Sequence, residues 1–215
     1  MRENGIMNLS AGWKLTLQLA GLGCIVASLF LFFTVRVSAD LRSSSERNIE
    51  AALFYRQPDR QFNERNKIRV FAAFPENGEP ARILFIFHSL RPISQFRLDP
   101  GDKPGASYRL DALSIRFYGG LLEYRADTPD AAARIEVNEQ IVPDREKLPC
   151  ISMTTTGTDP QILITTASLS RRLNLSGGSL LCPGLFLLGT VLLLTPGFLS
   201  RRSEKRQQES AGGPA

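Results

Sequence analysis

Leu113-Ser114-Ile115-Arg116-Phe117 alternates apolar and polar residues with a period of two, the pattern of a strand buried on one face. Leu113, Ile115 and Phe117 belong to the core face, and Ser114 and Arg116 to the outer one. Upstream, Ile83-Leu84-Phe85-Ile86-Phe87 is apolar at every position, which predicts a central strand covered on both faces. Similar short runs, rich in β-branched and aromatic residues, recur at 52–55, 68–74, 94–98, 107–110, 134–137, 151–155 and 161–166. Between them lie Pro75-Glu76-Asn77-Gly78, Asp99-Pro100-Gly101-Asp102, Thr128-Pro129-Asp130 and Gly157-Thr158-Asp159-Pro160. These are turn compositions, because Gly admits positive φ, Pro fixes φ, and Asp or Asn bonds its own backbone. Helical periodicity over three turns is absent from this region. The pattern predicts a mainly β domain over residues 51–169, an antiparallel, jelly-roll-like β-sandwich.

Working outward, two uncharged apolar segments flank that domain, at 15–35 and 178–199. The first is bounded by Lys14 and Arg36 and, at 1.5 Å rise per residue, covers about 32 Å, enough for the hydrocarbon core of a bilayer. In the second, Pro183 falls in the first turn, where its missing N–H costs least, and Pro196 is expected to end or bend the helix. A cleaved signal peptide is the competing reading of the first segment, with Val37-Ser38-Ala39 as a conceivable cleavage site. The segment exceeds the usual length of a signal core and has Arg36 beside the site, so an uncleaved anchor is expected. Gly21-Leu22-Gly23-Cys24 lacks the apolar residue three places before the cysteine that a lipoprotein site requires. The chain then divides into a cytoplasmic tail (1–14), a membrane helix (15–35), a linker (36–50), the sandwich (51–169), a second linker (170–177), a second helix (178–199) and a disordered cytoplasmic tail (200–215).

The formal net charge is +5, and its location matters more than its size. From residue 40 to residue 172 there are 19 Lys/Arg against 18 Asp/Glu, so most of the basic excess sits beside the apolar segments. That distribution is an orientation signal and offers no basic stripe for following phosphates, so nucleic acid is not an expected partner. Arg201, Arg202, Lys205 and Arg206 form the densest cluster, and with Arg2 and Lys14 they predict both tails in the cytoplasm and the sandwich exported. Within the first helix, Gly23 and Ala27 have the small-xxx-small spacing that lets helices approach closely.

The residues for catalysis are missing. The only histidine, His88, ends an apolar run, and no nucleophile-elbow, zincin or phosphate-loop pattern occurs. Cys24 and Cys182 fall in different membrane segments and Cys150 stands alone outside, so no exported disulfide and no metal site is expected. Asp99 and Asp102 read as turn formers before calcium ligands. The pairs Glu123/Asp127 and Glu136/Glu139 look like surface charge rather than a glycosidase pair. A non-enzymatic protein without cofactor is expected. For binding, Tyr108, Arg109, Arg116, Tyr118 and Tyr124 supply aromatic faces and hydrogen-bonding heads close together in sequence, the chemistry of a sugar site. The plainer alternative is that the tyrosines fill sandwich edges and the arginines solubilise the outer face.

Three stretches in order carry a resemblance. Leu53-Phe54-Tyr55 is followed by Phe62-Asn63-Glu64 and the strand from Ile68. Phe96-Arg97-Leu98-Asp99-Pro100 is followed by Gly105 and by Leu113 to Phe117. Gly157-Thr158-Asp159-Pro160-Gln161-Ile162 precedes the last strand. Together they resemble a galactose-binding-like or jelly-roll module of bacterial envelope proteins associated with glycosyl transfer and surface polysaccharide. The resemblance implies a periplasmic domain that contacts a glycan or a partner protein. In that family the module is joined to large catalytic or many-helix parts, which this chain lacks, so no activity carries over. The rival expectation is a structural subunit whose helices pack into a larger membrane complex. A polysaccharide chain-length regulator shares the two-helix topology, but its long helical exported region does not fit so turn-dense a middle.

Overall fold

Apolar side chains at every second position from Val35 to Leu41 build the middle of a sheet. In the computed structural model, which describes residues 11–58, 60–144 and 150–211, the helix α1 (Ala11–Phe32) is followed almost at once by β1 (Thr34–Ser43). Then come β2 (Asn48–Arg56), β3 (Lys67–Ala73), β4 (Ala81–His88), β5 (Gln95–Asp99), β6 (Ser107–Phe117) and β7 (Leu122–Arg125). A short helix α2 (Pro129–Ala133) leads into β8 (Glu136–Val137), β9 (Ile141–Asp144), β10 (Ile151–Thr155), β11 (Ile162–Thr165) and β12 (Ser170–Leu173), and α3 (Gly177–Ala211) closes the chain. The larger sheet runs β12-β7-β6-β1-β4, with β10 on the first half of β6 and β9 on β10; the smaller runs β3-β2-β5-β11-β8. Every one of these pairings is antiparallel. The domain is a two-sheet β-sandwich.

Both sheets fill one core. Val37, Leu41, Ile83, Phe85, Ile115 and Ile151 of the larger sheet and Leu53, Phe96, Leu98, Ile162 and Ile164 of the smaller are all fully buried. Each such side chain contributes roughly 1.5–3 kcal/mol on burial, and no disulfide assists, since Cys24, Cys150 and Cys182 are free. Leu113 and Ile115 face inward as their alternation predicts, with Phe117 packed at the margin of the core. The runs expected separately at 107–110 and 113–118 are one strand, β6. Its inward residues change parity, from Tyr108 and Leu110 to Leu113 and Ile115, so one extra residue must be absorbed. The register against β1 shifts there: Leu41 faces Leu110 and Asp40 faces Ala112, leaving Asp111 as the bulge.

Four expectations are corrected. Residues 36–50, expected as a linker, hold most of β1 and the start of β2. The run Ile83 to Phe87 is not a central strand covered on both faces: among the described residues β4 pairs only with β1, and Leu84 and Ile86 are 44% and 50% exposed. An all-apolar run cannot tell an inner strand from an edge strand whose outer residues happen to be greasy. Thr128-Pro129-Asp130 starts α2 rather than a turn, because Thr128 Oγ1 accepts the Ala131 N–H at 3.2 Å and Pro129 occupies the first helical turn. Part of the second expected linker likewise becomes β12.

The chain from Phe33 to Ser179 is one compact unit, and the apolar helices form a second. Gly12–Phe32 and Gly177–Phe198 are long and apolar enough to cross a membrane. Their side chains are largely uncovered, with Leu19 60% and Leu187 67% exposed, as a buried core helix would not leave them. Hydroxyls within them bond locally: Thr16 Oγ1 donates to the Gly12 carbonyl, Thr190 to Phe186 and Thr195 to Val191. That arrangement suits an apolar solvent. The second helix does not end at Pro196; it continues to Ala211, through most of the tail expected to be disordered. Arg2 lies outside the described residues.

Candidate functional site

Strand register assembles polar residues on the outer face of the larger sheet. One rung across that face reads Ile86, Arg36, Arg116, Glu123, Arg172 on β4, β1, β6, β7 and β12. The next reads Leu84, Ser38, Ser114, Arg125, Ser170. A groove of about 450 Å³ runs over these rungs, lined among others by Arg36, Asp40, Arg82, Arg116, Arg125 and Asp127.

Glu123 organises the groove. Its side chain is only 4% exposed; Arg116 Nε donates to its Oε1 at 2.8 Å, and Arg125 Nη2 lies 3.0 Å from Oε2. Burial alone would raise its pKa, but the hydrogen bonds and charges of the two arginines outweigh it and hold the carboxyl below the usual range. Glu123 is thus a fixed anion and an unsuitable proton donor near neutral pH. Around it, Arg82 clasps Asp40 through two nitrogens at 2.9 and 3.1 Å, and Arg172 meets Asp127 at 2.7 Å. Asp111, the bulge residue, takes Arg109 at 2.7 Å and also binds Arg42.

No family model matches this chain, and no curated protein matches it.

The five residues singled out for binding are dispersed by the fold. Arg116 lines the groove, and Arg109 is exposed beside it, held by Asp111 and by Cys150 Sγ at 3.4 Å. Tyr108 does not join them. It lies in the core at 4% exposure, against Phe74, and burial pushes its hydroxyl up to about 12. Tyr124 also turns inward, its ring edge-on to Phe117 at 5.7 Å. Tyr118 is exposed and has φ 54°, followed by Gly119 at 66° and Gly120 at 93°. A tyrosine in the left-handed region is strained, and here two glycines continue the turn that aims it outward.

Sequence reasoning missed Arg36, Glu123 as a clamp, and Arg125. Arg36 read as the flank of a membrane helix, although the alternation Val35, Val37, Ala39, Leu41 marks it as outward-facing on a strand. It also missed Phe71, which is 76% exposed on β3 and stands opposite Glu50 of β2, at a second depression shared with Asn48 and Lys103. Among the described residues there is no cluster of three metal-ligating side chains. Asp99 is tied instead to Arg97 at 2.9 Å, and burial pushes its carboxyl up to about 6 despite that arginine.

On α1, Gly23 has nothing within 4 Å of where a Cβ would stand, and together with Ala27, Leu19 and Val26 it lines an apolar groove. The contact between α1 and α3 is made elsewhere. Gly21 packs on Gly189, Ser28 Oγ donates to the Cys182 carbonyl at 2.7 Å, and Cys182 Sγ donates to the Ser28 carbonyl at 3.2 Å. The small residue pair predicted as a packing face is therefore available to another chain.

Proposed function

We propose that this protein is a non-enzymatic, two-pass inner-membrane protein that presents its β-sandwich on the exported side as a recognition module. Both tails are cytoplasmic, following the basic cluster in the C-terminal part of α3. The ligand is a glycan or a partner protein with acidic groups, met during assembly of envelope polysaccharide, as the resemblance of the sandwich suggests. The observation that carries this reading is the outer groove, where Glu123 holds Arg116 and Arg125 in fixed orientations beside Arg36. Side chains locked by their own ion pairs lose little freedom on binding, which favours specific recognition.

The test is binding of the full chain, in neutral-lipid nanodiscs, to an array of bacterial surface glycans. Selective binding weakened about tenfold by Arg116→Ala supports the reading, and a folded protein that binds nothing on the array contradicts it. A second reading, a structural subunit of a membrane complex, is favoured by the open Gly23/Ala27 face. It predicts co-purification with a membrane partner that is lost in Gly23→Leu.

A further inference from the structure

We propose that the group recognised in the outer groove is a phosphate monoester, bridged between Arg36 and Arg116. The inference rests on the reading of that groove as the recognition site and names the chemistry of its ligand. Arg36 and Arg116 are directly opposite each other in the β1–β6 register. Like charges so placed repel, and of the two only Arg116 has a compensating carboxylate, Glu123 on β7. Arg36 has no ion-pair or side-chain hydrogen-bond partner among the described residues, and Arg116 contacts Glu123 through Nε alone, so its two terminal nitrogens are open.

The surrounding charges do not supply the missing anion. Asp40 is occupied by Arg82, Asp111 by Arg42 and Arg109, Asp127 by Arg172, and Glu123 by Arg116 and Arg125, which with Arg36 leaves seven arginines against four carboxylates and three positive charges over. A phosphate monoester brings close to two negative charges and three acceptor oxygens, enough to serve two guanidinium forks at once; a carboxylate has one charge and two oxygens. Chain connectivity also limits where such a ligand is met. Arg36 follows Phe32, the last residue of α1, by four positions, at most about 14 Å of extended chain. With α1 in the bilayer, as proposed above, Arg36 stays within reach of lipid headgroups, so the phosphate is either lipid-borne or free in solution near the membrane.

The experiment is native mass spectrometry of the full chain in detergent, with added dioleoyl phosphatidic acid, phosphatidylglycerol or phosphatidylcholine. Arg36→Gln and Arg116→Gln are compared with Arg69→Gln, a charge-matched control on β3 in the other sheet. The expected result is retention of phosphatidic acid over the other two lipids, reduced about tenfold in Arg36→Gln and in Arg116→Gln and unchanged in Arg69→Gln. Within that result, loss of the adduct to millimolar inorganic phosphate identifies phosphate itself as sufficient, and resistance to it identifies the lipid-borne group. Absence of a preference for phosphatidic acid, or an equal loss in Arg69→Gln, overturns the proposal. If glycan binding that needs Arg116 persists in that case, only the phosphate chemistry falls; if it is also absent, the groove is not the recognition site.

Discussion

Gly21 and Gly189 meet backbone to backbone: a Cβ on Gly21 would stand 2.7 Å from the Gly189 carbonyl oxygen, and one on Gly189 would stand 2.6 Å from that of Gly21. No side chain fits between them, so each glycine is required by the other. This contact and the reciprocal Ser28–Cys182 hydrogen bonds join α1 to α3.

Gly21→Leu is therefore expected to force the helices apart and lower the thermal stability of the helix pair by several degrees in detergent. Gly23→Leu, two positions away with nothing within 4 Å, should leave the isolated chain unchanged. Differential scanning fluorimetry of the two variants checks the contrast; equal losses would show that the packing face has been misassigned.

Glu123→Gln keeps the shape of the clamp and removes its charge. The two arginines are 41% and 39% exposed, so water softens the loss, and a cost of about 2 kcal/mol is expected near neutral pH. Because the folded carboxyl is held below its ordinary value, its contribution is present above that value and disappears as pH falls through the lowered pKa. Denaturation curves of wild type and variant should converge in acid. Curves separated by the same amount at every pH would rule out a charge effect.

Asp99 predicts the opposite slope. The folded domain keeps its proton up to about pH 6, whereas the unfolded chain releases it near 3.8. Between those values the folded state binds more protons, so stability falls as pH rises through the window, by on the order of 3 kcal/mol. In Asp99→Asn that fall should vanish. Urea titrations at pH 4, 5, 6 and 7 decide it, and an unchanged slope in the variant would assign the effect to another group.

Gly101 has φ 143°, and a Cβ there would come within 2.8 Å of the Tyr108 hydroxyl. Gly101→Ala should cost about 2 kcal/mol from backbone strain and contact together. Adding Tyr108→Phe removes the contact but not the strain, so the double variant should recover part of the loss. Strict additivity of the two changes would mean that the hydroxyl plays no part.

The apolar helices, the β-rich middle, its turn at Pro75 to Gly78 and the inward face of Leu113 and Ile115 were legible in the sequence. Each depends on neighbours within a few residues: hydropathy over one helix length, alternation along one strand, turn chemistry over four positions. The outer groove was not legible, because Arg36 and Arg116 are eighty positions apart and become neighbours only through the register of β1 on β6. The strand β1 escaped notice for a related reason. Its apolar half consists of Val35, Val37, Ala39 and Leu41, a weak signal beside a long apolar helix, and it acquires meaning only when β4 and β6 flank it. Tyr108 shows the same division. Composition marks it as a residue that can serve at a surface or in a core, and the extra residue at Asp111 decides the matter by setting which way the first half of β6 faces. Local sequence determined which segments become helix, strand and turn, since those preferences arise within a few residues. Which strand is central, which face each side chain takes and which charges stand together were decided only when distant segments were paired, because register is a property of two strands and is written in neither alone.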